Sequence, residues 1–331
     1  MVDPHDRSEG EAIAPRGLPL ACKAMKRRDV LGSLAAALAS NLALPALARP
    51  AVRVPAGIKA LRQLEQRSGG RLGAFVRDTA SGQGFGWREG ERFALCSTFK
   101  LSLAALVLRE VAAGRLDGGQ VLPYSALDLL PASPITGAHV ARYDLSVLAL
   151  AEAAQTTSDN TAANLLLDRL GGPVALTAFW RELGDGLTTL NRSETALNRT
   201  DPRSGEDSTT PMAMATTLTT LMRTGPGFPL AARDTLLGWM RATTTGGNRI
   251  RAGIPVGWSA GDKTGTFSDP AFASRINDIA LIEPPGRAML VVAVYYESAG
   301  PPGALRTGDE AVLAEVGRIA CDPGSWRLKR P

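Results

Sequence analysis

The hydrophobic pattern of this 331-residue chain changes period twice, and the order of those changes limits the folds open to it. Residues 72–79 and 84–95 read as strands joined by a turn at Ala80-Ser81-Gly82. From about 100 to 245 the pattern is mostly helical. The run 101–107 is apolar nearly all round, as in a helix buried in the middle of a fold. Residues 145–153 are rich in helix formers, 159–170 carry apolar side chains at helical spacing, and 212–222 and 229–241 read the same way. After Gly253 strands return at 258–266 and as a hairpin, 276–282 and 288–296, around Pro284-Pro285-Gly286. A short amphipathic helix at 58–66 precedes the first strand, and a helix at 309–319 closes the chain. Strands at both ends with helices between predict an α+β fold. One antiparallel sheet of about five strands, flanked by helices, is built from about 55–95 and 250–322. An all-α part, about 96–249, is inserted beside it. One stretch, 184–211, has no clear period and is rich in Asn, Thr, Ser and Asp; loops of this length inside a compact domain are usually functional.

The N-terminus reads differently. Lys26-Arg27-Arg28-Asp29-Val30-Leu31 precedes an apolar run, 31–44, and Ala46-Leu47-Ala48 is an A-x-A-like cleavage site. Residues 1–48 are therefore expected to be an extension and export signal of the twin-arginine type, with Met25 an alternative start and 49–331 the mature domain. No other stretch is long and apolar enough to span a bilayer. Six basic and five acidic residues leave with the signal, moving the net charge from +5 to +4. The arginines are scattered, with no basic stripe interleaved with aromatics, so nucleic acid is not an expected partner. The mature part keeps Cys96, Cys321 and one histidine, His139, too few for a disulfide scaffold or a zinc site. His139, in Gly137-Ala138-His139-Val140, is expected to be a packed structural histidine rather than part of a Ser-His-Asp triad.

Lysine is scarce: six among 37 basic residues, and four after residue 48. Two of those four sit in motifs. Ser97-Thr98-Phe99-Lys100 opens the buried helix, so Ser97 and Lys100 share a face and the lysine leans back toward the serine. A serine hydroxyl is a poor nucleophile until a base takes its proton, and a desolvated lysine is such a base where an arginine is not. Lys263-Thr264-Gly265 stands at a strand end, and Ser158-Asp159-Asn160 lies between the two. Taken singly, these are also an N-capped helix with a surface lysine, a strand-to-turn transition and a helix cap.

In this order, the three motifs resemble the S-x-x-K, S-D-N and K-T-G set of the class A serine β-lactamases. The resemblance runs from about residue 55 to 322. It extends into the long loop, where Glu194-Thr195-Ala196-Leu197-Asn198 is similar to the family's E-x-x-L-N. Arg192 and Asp207 fall where the family has the ion pair that closes this omega loop. The resemblance implies a periplasmic monomer that hydrolyses β-lactam antibiotics, with no metal or organic cofactor and no membrane contact after signal cleavage. It implies that Ser97 attacks the lactam carbonyl, with Lys100, or Glu194 through a water, taking its proton. Ser158 would relay a proton to the departing nitrogen. Glu194 and Asn198 would hold the deacylating water, and the N–H groups of Ser97 and Thr266 would form the oxyanion hole. Asn160 would bind the substrate's side-chain amide. Lys263, Thr264, Gly265, Thr266 and Arg249 would line the substrate-carboxylate side, with Arg249 suited to a bidentate grip.

Four features depart from common family patterns. Thr195 follows Glu194 where proline is frequent. Ala132 replaces an aromatic wall residue. Cys96 faces Phe267 where a partner cysteine would stand, so two free thiols are expected. The segment 267–275 is a few residues longer than usual. A D-alanyl-D-alanine peptidase and a penicillin sensor share the three motifs but lack the deacylating glutamate. Preference among penicillins, cephalosporins and carbapenems is not legible in these residues.

Overall fold

The computed structural model describes residues 54–223 and 228–329. The expected export segment, 1–48, lies outside them. The first helix, α1 (Ala56–Ser68), ends at Gly69, whose left-handed φ of 76° suits a residue without a Cβ. Strands β2 (Arg71–Asp78) and β3 (Gly84–Trp87) follow, and the chain returns to the same sheet with β6 (Ser259–Asp269), β7 (Phe272–Glu283) and β8 (Leu290–Glu297). The sheet is antiparallel, in the order β3-β2-β8-β7-β6, so the first and last parts of the chain meet at β2 and β8. A two-residue pair, β1 (Val54–Pro55) with β9 (Leu328–Lys329), also joins the chain's two ends.

Both faces of the sheet are covered, and the two-residue period of the strands divides them. Leu72, Ala74 and Val76 of β2, with Val292, Val294 and Tyr296 of β8, pack against α1 and the C-terminal helix α9 (Asp309–Cys321). Val291, Ala293 and Tyr295 face the helical part. A slip of one residue would exchange the two sets, so both cores hold the register. The helical part contains α2 (Phe99–Ala112), α3 (Pro134–His139), α4 (Val147–Thr156), α5 (Asn160–Leu170), α6 (Pro173–Glu182), α7 (Pro211–Met222) and α8 (Leu230–Arg241). Its axis is α2, buried from Phe99 through Leu108. The α+β architecture agrees with the sequence reading.

Three details differ from that reading. The expected strand 84–95 stops at Trp87, because Arg88 turns to φ 48°. Phe93–Ala94 (β4) instead pairs with Ser208–Thr209 (β5), the exit of the long loop. The segment 267–275 is not loop: β6 and β7 continue through it as a ladder out to Asp269 and Phe272, with a register shift between Phe267 and Asp269. His139 is only partly buried. It lies at the end of α3 against Asp144, 2.6 Å from Nδ1, and Arg142, which makes it a surface residue rather than a packed one. Cys96 and Cys321 are both buried and free, as expected. Burial pushes the Cys96 thiol up to about 12, so it stays protonated.

Candidate active site

Ser97 stands in a single 3-10 turn, Cys96–Thr98, that feeds directly into α2. Thr98 fixes the turn by donating to the Leu95 carbonyl at 2.7 Å. One helical turn on, Lys100 is fully buried. Its Nζ donates to Ser97 Oγ at 3.0 Å, to the Ser158 carbonyl at 2.9 Å and to Asn160 Oδ1, and lies 3.0 Å from Glu194 Oε1. Desolvation pushes Lys100 below the usual lysine range, against the opposing pull of Glu194. Ser97 Oγ in turn donates to Glu194 Oε1 at 3.1 Å. The Ser97 hydroxyl therefore touches two groups able to take its proton.

The second motif serves both readings open to it. Asp159 is the cap of α5, accepting from Ala162 N at 2.9 Å and tying down Ile135 N and Thr136 N of α3. Its neighbours both contact Lys100. Ser158 adopts φ 62°, and its carbonyl accepts from Lys100. Asn160 accepts from Lys100 and donates Nδ2 to the Pro131 carbonyl at 2.7 Å.

The long loop brings in the remaining carboxylate. Asn198 Nδ2 donates to Glu194 Oε2 at 2.9 Å, while Asn198 Oδ1 is buried with no hydrogen-bond partner among the described residues. Asn164 of α5 clamps both backbone groups of Glu194, at 2.9 and 2.8 Å. The sequence reading missed Asn164. The available signal was an amide set among apolar residues, one turn beyond Asn160 on the same helix face. The Glu194-Thr195 peptide is cis, with threonine in the position where the family often has proline.

On the opposite side, β6 passes close to the turn that carries Ser97. A Cβ on Gly265 would lie 3.0 Å from Cys96 Cβ and 3.2 Å from Ser97 N, so a side chain here would press on the turn that carries Ser97. Two residues back on that strand face, Lys263 is fully buried. Burial, together with the charge on Lys100, lowers it to about 7. Thr264 and Thr266 lie on the other face: the Thr264 hydroxyl bonds to that of Thr245 at 2.6 Å, and Thr266 Oγ1 accepts from Arg249 Nη2 at 2.6 Å.

Comparisons with known proteins agree with this geometry. The family model described as "Beta-lactamase enzyme family" matches residues 57–322. Beta-lactamase AST-1 of Nocardia asteroides is 43% identical over 262 residues, 78% of this chain and 81% of that protein. The carbapenem-hydrolyzing beta-lactamase KPC of Klebsiella oxytoca is 40% identical over 78% of this chain and 86% of its own length. A solved ancestral (GNCA) class A β-lactamase is 48% identical with a TM-score of 0.74, covering 79% of this chain and 97% of that one. A β-lactamase from Burkholderia vietnamiensis is 44% identical with a TM-score of 0.75, covering 81% of this chain and 96% of its own. The chain belongs to the class A serine β-lactamases. It is a β-lactam hydrolase, of the kind that confers resistance to these antibiotics.

Within this class A β-lactamase, two expectations are refined by the geometry. Arg249 is buried, and its fork is largely committed: Nε to Glu310 at 2.9 Å, Nη1 to the carbonyls of Gly265 and Asn277 at 3.1 and 2.8 Å, and Nη2 to Thr266. Among the described residues one Nη2 hydrogen is left uncommitted, so the fork keeps no pair of parallel N–H groups for a bidentate grip. The loop is closed by the Arg192–Asp207 pair. Asp207 is fully buried; its Oδ2 lies 2.7 Å from both Nε and Nη2 of Arg192, and its Oδ1 accepts the N–H groups of Asn191 and Arg192 at 2.8 and 3.0 Å. Asp207→Ala leaves all of these donors unpaired. The expected loss is about 3 kcal/mol, the lower end for a broken buried pair because Arg192 is partly exposed. Urea unfolding and penicillin turnover should both report weakening. Unchanged values of both would refute this role for the pair.

Proposed function

We propose that this β-lactamase works through an acyl-enzyme on Ser97. The observation that carries the reading is the continuous contact Lys100–Ser97–Glu194–Asn198 beside Gly265. As Ser97 Oγ bonds to the lactam carbonyl carbon, its proton passes to Lys100, or to Glu194 through a water. The oxyanion is met by the N–H groups of Ser97 and Thr266, donors whose strongest interaction comes as charge develops. The C–N bond then breaks, and Ser158 relays the proton taken from Ser97 to the leaving nitrogen, giving up its own and taking that one in its place. Asn160 holds the substrate's side-chain amide. In the second half, Glu194 takes a proton from a water that Asn198 Oδ1 also holds, and that water attacks the ester. The ring-opened acid leaves, and Ser97 recovers its proton. The net change is one water added across one C–N bond.

The substrate's carboxylate lies toward Lys263, Thr264, Thr266 and Arg249. Because Lys263 is lowered to about 7, its charge is full below that pH and lost above it. For a carboxylate-bearing β-lactam, kcat/KM is therefore expected to fall as pH rises past about 7. Lys263→Arg keeps its charge throughout and is expected to flatten this limb. A limb unmoved in K263R would remove Lys263 as its cause. The enzyme is proposed to act as a monomer on small molecules in the periplasm, reached by the twin-arginine route through residues 1–48. Among the described residues no helix is long and apolar enough to cross a membrane. Intact-mass analysis of the protein mixed with a penicillin tests the core of the proposal. A mass increase of one penicillin, mapped to Ser97, supports it; an adduct on another residue ends it.

A further inference from the structure

The lengthened β6–β7 hairpin carries an unusual cation. Arg275 stands on β7, opposite Phe267 of β6, and is 5% exposed. Among the described residues no carboxylate pairs with it. Its Nη1 donates to the Asn198 carbonyl and its Nη2 to the Thr200 carbonyl, both at 2.7 Å, while its buried Nε has no partner. The guanidinium carbon lies 5.6 and 5.4 Å from the ring centroids of Phe267 and Phe272, which pack on each other. A buried charge without a counterion is costly. Two charge-assisted hydrogen bonds and the aromatic faces offset that cost. Their effect falls on the long loop, because both acceptors are loop carbonyls. The residue between them, Arg199, pairs with Asp269 at the hairpin's tip, so three successive loop residues are tied to one hairpin.

We propose that Arg275 is a positioning residue for deacylation, and that the lengthened hairpin acts as a clamp on the hydrolytic end of the long loop. The inference rests on the acyl-enzyme reading given above. The line of force is short: Arg275 holds the Asn198 backbone, and the Asn198 side chain holds Glu194 Oε2. Among the described residues neither Lys100 nor the Ser97 hydroxyl makes a hydrogen bond or ion pair with Arg275. Loosening the clamp therefore moves the groups that hold the water and leaves the attacking serine in place. A displacement on the order of 1 Å in such a group slows a step by up to about 100-fold.

The test separates the two steps. Arg275→Met keeps an apolar stem between Phe267 and Phe272 and removes the donors. Arg275→Lys keeps one compact cation, able to reach one carbonyl at a time. Each is compared with the wild type by stopped-flow turnover of a chromogenic cephalosporin and by intact-mass detection of the adduct. R275M is expected to acylate within about twofold of wild type and deacylate about 10- to 100-fold more slowly. Its kcat and KM then fall together, kcat/KM is held and the Ser97 adduct accumulates; R275K recovers part of the deacylation rate. Acylation and deacylation slowed in equal proportion in R275M, or neither slowed, would overturn the proposal. Should R275M not fold, the same split in R275K decides: deacylation alone slowed supports the clamp, and unaltered rates refute it. A Glu194→Ala variant that gives no Ser97 adduct would instead sink the acyl-enzyme reading. A Ser97 adduct in E194A beside an unslowed R275M sinks only the role of Arg275.

Discussion

Ser97→Ala is expected to abolish β-lactam turnover and covalent labelling while leaving a folded protein. The hydroxyl is the only atom lost, and the groups around it keep other partners: Lys100 retains the Ser158 carbonyl, Asn160 and Glu194. A change this small at a half-buried site costs within about 1 kcal/mol of stability. The catalytic loss is of another order. Removing a covalent nucleophile whose neighbours act with it as a unit lowers kcat by about 10⁶. Circular dichroism and thermal melting check the fold, and a chromogenic cephalosporin checks activity. Retention of more than a trace of turnover, with the fold intact, would show that another group opens the ring.

Glu194→Ala is expected to stop the second step rather than the first. The acyl-enzyme is an ester, and general-base help toward water is worth about 10²–10⁴ in rate. Acylation keeps a base, because Lys100 is 3.0 Å from Ser97 Oγ and burial already pushes it toward the neutral form. Removing its carboxylate partner pushes it further in the same direction. The variant should give one stoichiometric burst with a penicillin, then almost no steady turnover, and a penicilloyl adduct stable enough to weigh. Wild-type turnover without a trapped adduct would remove Glu194 as the deacylating base. It would also remove the feature that separates this chain from D-alanyl-D-alanine peptidases and penicillin sensors.

The architecture was legible because periodicity is a local signal. The change from strand to helix and back predicted a sheet made from both chain ends, and the two faces of β2 and β8 account for it residue by residue. The proposed site residues could be picked out for a different reason. Ser97, Lys100, Ser158, Asn160 and Lys263 sit in short motifs whose spacing carries chemistry by itself, and the fold brings Ser97, Lys100, Ser158 and Asn160 into contact. What escaped was fixed by contacts between distant segments. Asn164 is one amide in a helix until Glu194 is folded onto it. Nothing near Arg249 announces that Glu310 and two carbonyls will occupy most of its donors. The strand end at Trp87 also escaped, because Phe93 and Ala94 find their partners more than a hundred residues away.

The position of β8 has a consequence for how this protein is made. Residues 290–297 pair with β2 on one side and β7 on the other, so the central strand of the sheet is among the last to leave the ribosome. Until then the hairpin of β2 and β3 has an open edge, and α1 covers its apolar face only in part, because α9 follows β8. The turn bearing Ser97 likewise waits for the strand edge at Gly265. A chain broken off before about residue 297 therefore yields no partial enzyme but an aggregation-prone fragment. Resistance from such a gene is switched off by a stop codon even four-fifths of the way along it.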